Sequence, residues 1–196
     1  MTALLALVVS VSPGLSTAAP DAALIGTLAF PFPLSTYGYS ADPADSSLDY
    51  AIQGEGSVLV GIPESPAVAA VRGSYAEVQG ATAGADGYVY YAVASLELGM
   101  LWRHIGASRF GALVSVGPAV LWSGFVLDDV LQKHTVHVGA HLQGALFVDI
   151  LPYLAAHVLV GFDGFGRPLR RTTFFNEPLS ETRVVSVGVG LTLWTP

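Results

Sequence analysis

From Tyr88 to Phe125 the chain alternates. Tyr88, Tyr90, Ala92, Ala94, Leu96, Leu98, Met100 and Trp102 fall on one parity, with Ser95, Glu97 and Gly99 on the other. After a short connection, Phe110, Ala112, Val114, Val116, Val120 and Trp122 alternate with Gly111, Ser115, Gly117 and Ser123. A period of two predicts β-strand, here two long strands forming a hairpin with one apolar face. Aromatic residues stand near both ends of each apolar stripe. A strand of about twelve residues rises roughly 40 Å, and a tilt of about 40° leaves roughly 30 Å along a barrel axis. That is the height of a hydrocarbon core with aromatic girdles at its edges. Pro118 interrupts the second strand and removes a ladder donor, so a bulge or an early exit from the membrane is expected there.

The same alternation and the turn residues divide the chain into eight strands, at 23–32, 50–60, 67–79, 88–102, 110–125, 134–148, 153–162 and 182–194. Their connections alternate. Segments 61–66, 103–109 and 149–152 are short, whereas 33–49, 80–87, 126–133 and 163–181 are mostly longer and more polar. Short turns on one side, longer loops on the other and an even strand number are the rules for bacterial outer-membrane barrels, and they put both ends of the barrel on the periplasmic side. Ahead of the first strand, residues 3–11 are apolar on both parities and are broken by Ser12, Pro13 and Gly14, with small residues at Ser16 to Ala19. Residues 1–19 are read as a signal peptide and 20–196 as the barrel domain, although no Lys or Arg precedes the apolar run.

Composition narrows the choice. Hydrophobic residues are 52% and charged residues only 12% of the 196 residues, against about 25% charged in ordinary soluble domains. The apolar stretches are too often interrupted by Gly, Pro, Ser and His for helical spans of about 20 residues. A net charge of −7, with no basic cluster interleaved with aromatics, argues against nucleic acid as a partner. Absence of cysteine excludes disulfides, thiolate metal sites and a lipid-modified N-terminal cysteine.

The last strand carries Val185, Val187, Val189, Leu191 and Leu193 on one parity. With the eight-strand pattern over about 22–194, the chain resembles the small eight-stranded outer-membrane barrel superfamily, which includes the membrane domain of outer-membrane protein A. The resemblance implies an all-β, antiparallel, up-and-down transmembrane barrel in the outer membrane of a Gram-negative bacterium. One departure is clear: Trp194 is out of phase with the outward stripe, where that superfamily has its terminal aromatic.

Candidate chemistry collects on the inward parity. Gln53, Glu55 and Ser57 come from the second strand, Arg72 and Ser74 from the third, and Ser95 and Glu97 from the fourth. His137, His141 and Gln143 come from the sixth, His157 from the seventh, and Ser186 and Thr192 from the eighth. Eight strands enclose room for side chains rather than for an open pore. A carboxylate there is costly unless paired, so Glu55 and Glu97 are expected to meet Arg72 or a histidine, with Arg72 the expected partner of Glu97. The lumen polar network is accordingly Glu55, Arg72, Ser95, Glu97, His137, His141, Gln143 and His157. Inward glycines (Gly99, Gly111, Gly117, Gly139, Gly161, Gly188 and Gly190) imply a tight lumen or room for larger neighbours. Histidines with a serine and a glutamate are also the parts of a nucleophilic hydrolase. The spacing expected of lipid A-trimming barrels is missing, however, since Val138–Gly139 and Val158–Leu159 follow His137 and His157. His137 and His141, four residues apart on one strand, lie roughly 13 Å apart, too far to share one ion.

In the last loop Arg167, Arg170 and Arg171 stand near Phe174 and Phe175, a set suited to lipopolysaccharide phosphates or a protein partner. The sequence therefore reads as an outer-membrane barrel with a packed polar lumen and a structural or surface-interaction role, with no catalytic residues, cofactor or metal assigned. It is expected to be a monomer, surrounded by outer-membrane lipid and lipopolysaccharide, with an extracellular partner reached through the long loops. A lipid A hydrolase-type enzyme is the alternative, and a soluble lipocalin-like ligand-binding barrel the third.

Overall fold

A computed structural model describes residues 22–33, 52–82, 85–105, 108–127, 130–166 and 182–195. They form eight strands: β1 (Ala22–Pro33), β2 (Ile52–Gly61), β3 (Ala67–Thr82), β4 (Ala85–Trp102), β5 (Phe110–Leu127), β6 (Val130–Leu151), β7 (Leu154–Phe165) and β8 (Thr182–Trp194). Each is antiparallel to its neighbours, and β8 pairs with β1 to close the ring. Every strand expected from the alternation is present, within a few residues at each end.

The parity holds around the wall. Leu96 and Leu98 of β4, Val114 and Val116 of β5, and Val187, Val189 and Leu191 of β8 all point outward, Leu98 with 69% of its surface exposed. Single-parity burial of this kind, with large apolar side chains outside and polar ones inside, is what a lipid-facing wall requires. The short-turn rim carries exposed Phe110, Tyr153 and Ile105, and the opposite half of the wall carries Phe30, Tyr75 and Trp122.

The lumen is layered. Reading each strand from its short-turn end, apolar residues come first: Ile25, Leu59, Leu101, Leu113, Phe147, Leu159 and Trp194 form the floor. Polar side chains follow, and above them Ala119, Leu121 and Phe165 pack with Tyr91 and Val93.

Three expectations are corrected. β3 and β4 continue to Thr82 and from Ala85, and β5 and β6 continue to Leu127 and from Val130. The connections expected over 80–87 and 126–133 thus shrink to residues 83–84 and 128–129. β3 to β6 contain 16, 18, 18 and 22 residues against 12, 10, 12 and 13 in the other four. At about 3.3 Å per residue and a tilt near 40°, β6 spans roughly 55 Å along the axis, well beyond a 30 Å hydrocarbon core.

The second correction concerns Pro118. The β5–β6 register runs unbroken through Pro118↔Ala140, and the register shift lies between Phe125 and Val126. On the β4 side the ladder pauses between Ser95↔Ala119 and Leu98↔Val116 without changing register. Trp122 therefore stays on the outward face. Gly117 makes this possible: a Cβ there would lie 1.8 Å from the Leu96 carbonyl oxygen and 2.8 Å from the Glu97 Cα. The backbones close up where the proline has removed a donor, and only glycine fits.

The third concerns Asp163, which is not in the long loop but inside β7, facing the lumen.

Two substitutions test this wall. Leu98→Arg, near mid-height on the lipid face, is expected to destabilise the barrel by about 2–4 kcal/mol. Gly117→Ala is expected to cost about 1–3 kcal/mol through overpacking. Urea unfolding of protein refolded into lipid vesicles measures both; an unchanged midpoint for Leu98→Arg means that β4 has been assigned to the wrong face.

Candidate functional site in the barrel lumen

The polar layer is built by strands whose inward positions change from apolar to polar at mid-height. On β2 and β3 that position is held by Glu55 and Arg72, two residues off direct register, because Glu55 lies opposite Ser74 and Arg72 opposite Ser57. Arg72 Nη2 donates to Glu55 Oε2 at 2.8 Å, with both side chains fully buried. Nη1 of the same guanidinium lies 3.9 Å from Asp163 Oδ1 of β7, across the lumen. Asp163 Oδ1 in turn accepts from His141 Nδ1–H of β6 at 2.8 Å. His141 Nε2 lies 3.9 Å from Glu97 Oε1 of β4.

Glu97 is the other hub. Its Oε1 accepts from Ser95 Oγ at 2.6 Å, and its Oε2 accepts from Ser115 Oγ at 2.5 Å and from Gln143 Nε2 at 2.9 Å. Carboxylates and basic side chains thus alternate from Glu55 through Arg72, Asp163 and His141 to Glu97, joining β2, β3, β7, β6 and β4. Isolated in such an interior each carboxylate would carry a desolvation cost of several kcal/mol, which these donors offset. The offset is incomplete, because Glu55 Oε1, Arg72 Nε and Nη1, and His141 Nε2 are buried without a hydrogen-bond partner.

Nearer the floor, His157 of β7 is hydrogen-bonded through Nε2 to Thr27 of β1 and through Nδ1 to Thr192 of β8, both at 2.9 Å. Gly190 gives that ring its space, since a Cβ there would lie 2.7 Å from His157 Nε2 and 2.0 Å from the Gly26 carbonyl oxygen. The inward glycines therefore serve both expected purposes, close backbone approach and room for histidines.

Of the eight sequence-predicted network residues, Glu55, Arg72, Ser95, Glu97, His141 and Gln143 are brought together in one connected cluster. His157 belongs to the separate threonine group. His137 is also buried, but its Nδ1–H donates to the Gly166 carbonyl at 2.9 Å, at the upper end of the lumen. The expected Arg72–Glu97 pair does not form. Arg72 turns to Glu55, and Glu97 is held by two hydroxyls and an amide. Asp163 was missed, although it shares the parity of His157 and Gly161 and would have been found had strand seven been carried one residue further. Arg167, Arg170, Arg171, Phe174 and Phe175 lie outside the described residues.

The parts of a hydrolase are present but separated. His141 is hydrogen-bonded to a carboxylate and His157 to two hydroxyls, and neither ring bridges a hydroxyl to a carboxylate. Nucleophilic catalysis needs a hydroxyl, a base and an orienting group in line, and among the described residues these roles are not joined. Nor do three His, Asp or Glu side chains converge as metal ligands among the described residues. The arrangement fastens strands across the lumen.

No protein-family model and no curated protein matches the sequence. Solved structures do match. Neisserial surface protein A superposes with a TM-score of 0.62 at 10% identity, over 91% of this chain and 99% of that one. The outer membrane protein OprG from Pseudomonas aeruginosa gives 0.54 at 11% identity, over 90% and 96%. Ail, the attachment invasion locus protein of Yersinia pestis, solved with the heparin analogue sucrose octasulfate, gives 0.51 at 10% identity, over 90% and 98%. The fold is that of the small outer-membrane barrels. At these identities the likeness extends to the fold, while the lumen network is described by this chain's own residues.

The Arg72–Glu55 pair provides a test. Arg72→Met, which leaves Glu55 buried without its cation, is expected to cost about 3–5 kcal/mol. The double variant Arg72→Met/Glu55→Leu is expected to be more stable than Arg72→Met alone, because Glu55 is then no longer a stranded charge and Asp163 keeps its hydrogen bond to His141. A double-mutant cycle by urea unfolding decides it: simple additivity would show that the two side chains do not depend on each other.

Proposed function

We propose that this chain is an integral barrel of the bacterial outer membrane, with a structural and surface-presenting role and a lumen that is packed rather than conducting. The observation that carries this is the layered interior, an apolar floor beneath a polar layer in which Glu55 pairs with Arg72, Asp163 with His141, and Glu97 with two hydroxyls and an amide. Side chains occupied in this way hold strands together and leave the exterior as the working surface. The extension of β3 to β6 beyond hydrocarbon height supports the same reading, because it raises a four-stranded sheet from the long-loop side.

The outward apolar wall makes lipid the first partner. The segment 167–181, with Arg167, Arg170, Arg171, Phe174 and Phe175, supplies the chemistry for lipopolysaccharide phosphates or another polyanion. Ail was solved with a sulfated sugar analogue, and a polyanion is the partner class we assign to this chain's arginine segment. Residues 1–19, outside the described residues, act as an export signal in this proposal, and the barrel is a monomer.

Expressed in a Gram-negative host, the protein is expected to fractionate with outer membranes and to migrate faster on gels when unheated than when boiled. Recovery as a soluble species without detergent would end the membrane reading. Replacing Arg167, Arg170 and Arg171 together with alanine is expected to weaken retention on immobilised lipopolysaccharide while leaving the gel shift unchanged.

A further inference from the structure

The seam between β8 and β1 differs from every other strand junction in the ring. Seven neighbouring pairs are joined by a connection in sequence, whereas the eighth brings together residues 173 positions apart. Closing so distant a contact carries the largest loop entropy in the barrel. At the short-turn end this seam is reinforced by a cluster that no part of the lumen network uses.

Thr195, just past β8, is bonded to Ala22 at the start of β1 twice over. Its backbone N–H donates to the Ala22 carbonyl at 3.0 Å, and its hydroxyl oxygen lies 2.9 Å from both Ala22 N and Ala22 O. Trp194 turns inward, only 3% exposed, and plugs the floor edge-on against Phe147 at 5.3 Å. Its backbone N–H donates to the Tyr153 carbonyl at 2.9 Å, and its indole N–H donates to Asp149 Oδ1 at 3.0 Å. The other oxygen of Asp149 faces His104 Nε2 at 3.1 Å and Arg103 Nε at 3.5 Å. Arg103 lies over the Trp194 ring at 5.2 Å and donates to the Pro152 carbonyl.

We propose that Trp194 and Thr195 form a clasp that locks the β1–β8 seam shut at the short-turn end, with Asp149 as its catch. One carboxylate ties the end of β8 to the β4–β5 turn through Arg103 and His104. Tyr153 ties it to the β6–β7 turn, and Thr195 ties it to β1. The inward phase of Trp194 is then functional: an outward aromatic at this position could neither reach Asp149 nor stopper the floor. Asp149 sits beside the register shift between Asp149 and Leu151, and a shift of this kind re-aims a side chain at a strand end.

Amide hydrogen exchange of the full chain refolded in bicelles, followed residue by residue by NMR, tests the clasp. Two variants are needed. Asp149→Leu removes the catch; Trp194→Phe keeps a ring on Phe147 but removes the indole donor. Asp149→Leu is expected to accelerate exchange of the Trp194 and Thr195 amides about tenfold or more, the scale of losing a hydrogen bond to a charged group. The seam amides of Val187 and Val189 are expected to keep their wild-type rates. Trp194→Phe is expected to act in the same direction by a smaller factor, and it decides the matter alone if Asp149→Leu does not fold. Equal acceleration along the whole seam, or none at Trp194 and Thr195, would overturn the proposal.

Discussion

A wall in contact with hydrocarbon cannot leave backbone N–H and C=O groups unpaired, and a sheet meets that condition only by closing on itself. Much else in this protein follows from closure. Eight strands make the narrow ring in which inward side chains touch across the lumen, so every inward position is a packing decision. Closure also forces the first strand against the last, the junction that sequence proximity does least to help. The pause in the β4–β5 ladder at Pro118 is tolerated because Gly117 lets the two backbones close up around it.

The narrow lumen turns electrostatics into architecture. Glu55, Glu97 and Asp163 occupy an interior where solvent cannot screen them, and each is answered by side chains from other strands. A buried ion pair of this kind adds little net stability compared with apolar packing, but breaking it is costly. Its value lies in specificity. A strand slipped by one residue would send its polar side chains into lipid and its apolar ones among the carboxylates. The polar layer therefore penalises wrong registers more strongly than it stabilises the right one.

The two ends of the barrel divide the work. At the short-turn end Phe147, Trp194, Leu59 and Leu101 make a dry floor, and the side chains around Asp149 bind turns and seam together. At the other end the strands are unequal, with 16 to 22 residues in β3 to β6 against 10 to 13 in β1, β2, β7 and β8.

Strand number, strand position and the assignment of faces were legible in the sequence, because alternation is local: a residue two places along a strand returns to the same face whatever the rest of the chain does. Leu98 outward, Glu97 inward and Trp194 out of phase with the outward stripe all follow from parity alone. The identity of the partners was not legible. Arg72 lies diagonally between Glu55 on one neighbouring strand and Glu97 on the other, two positions off register in both directions. The right-handed twist of the sheet makes such diagonals unequal, and Glu97 already receives donors from β4, β5 and β6. Asp163 meets His141 as its register partner on the adjacent strand, but it approaches Arg72 because the curvature of the ring brings β7 opposite β3, a proximity that has no counterpart along the chain. Parity determined which residues face inward; closure and stagger, which set the height of each side chain around the ring, decided which of them meet.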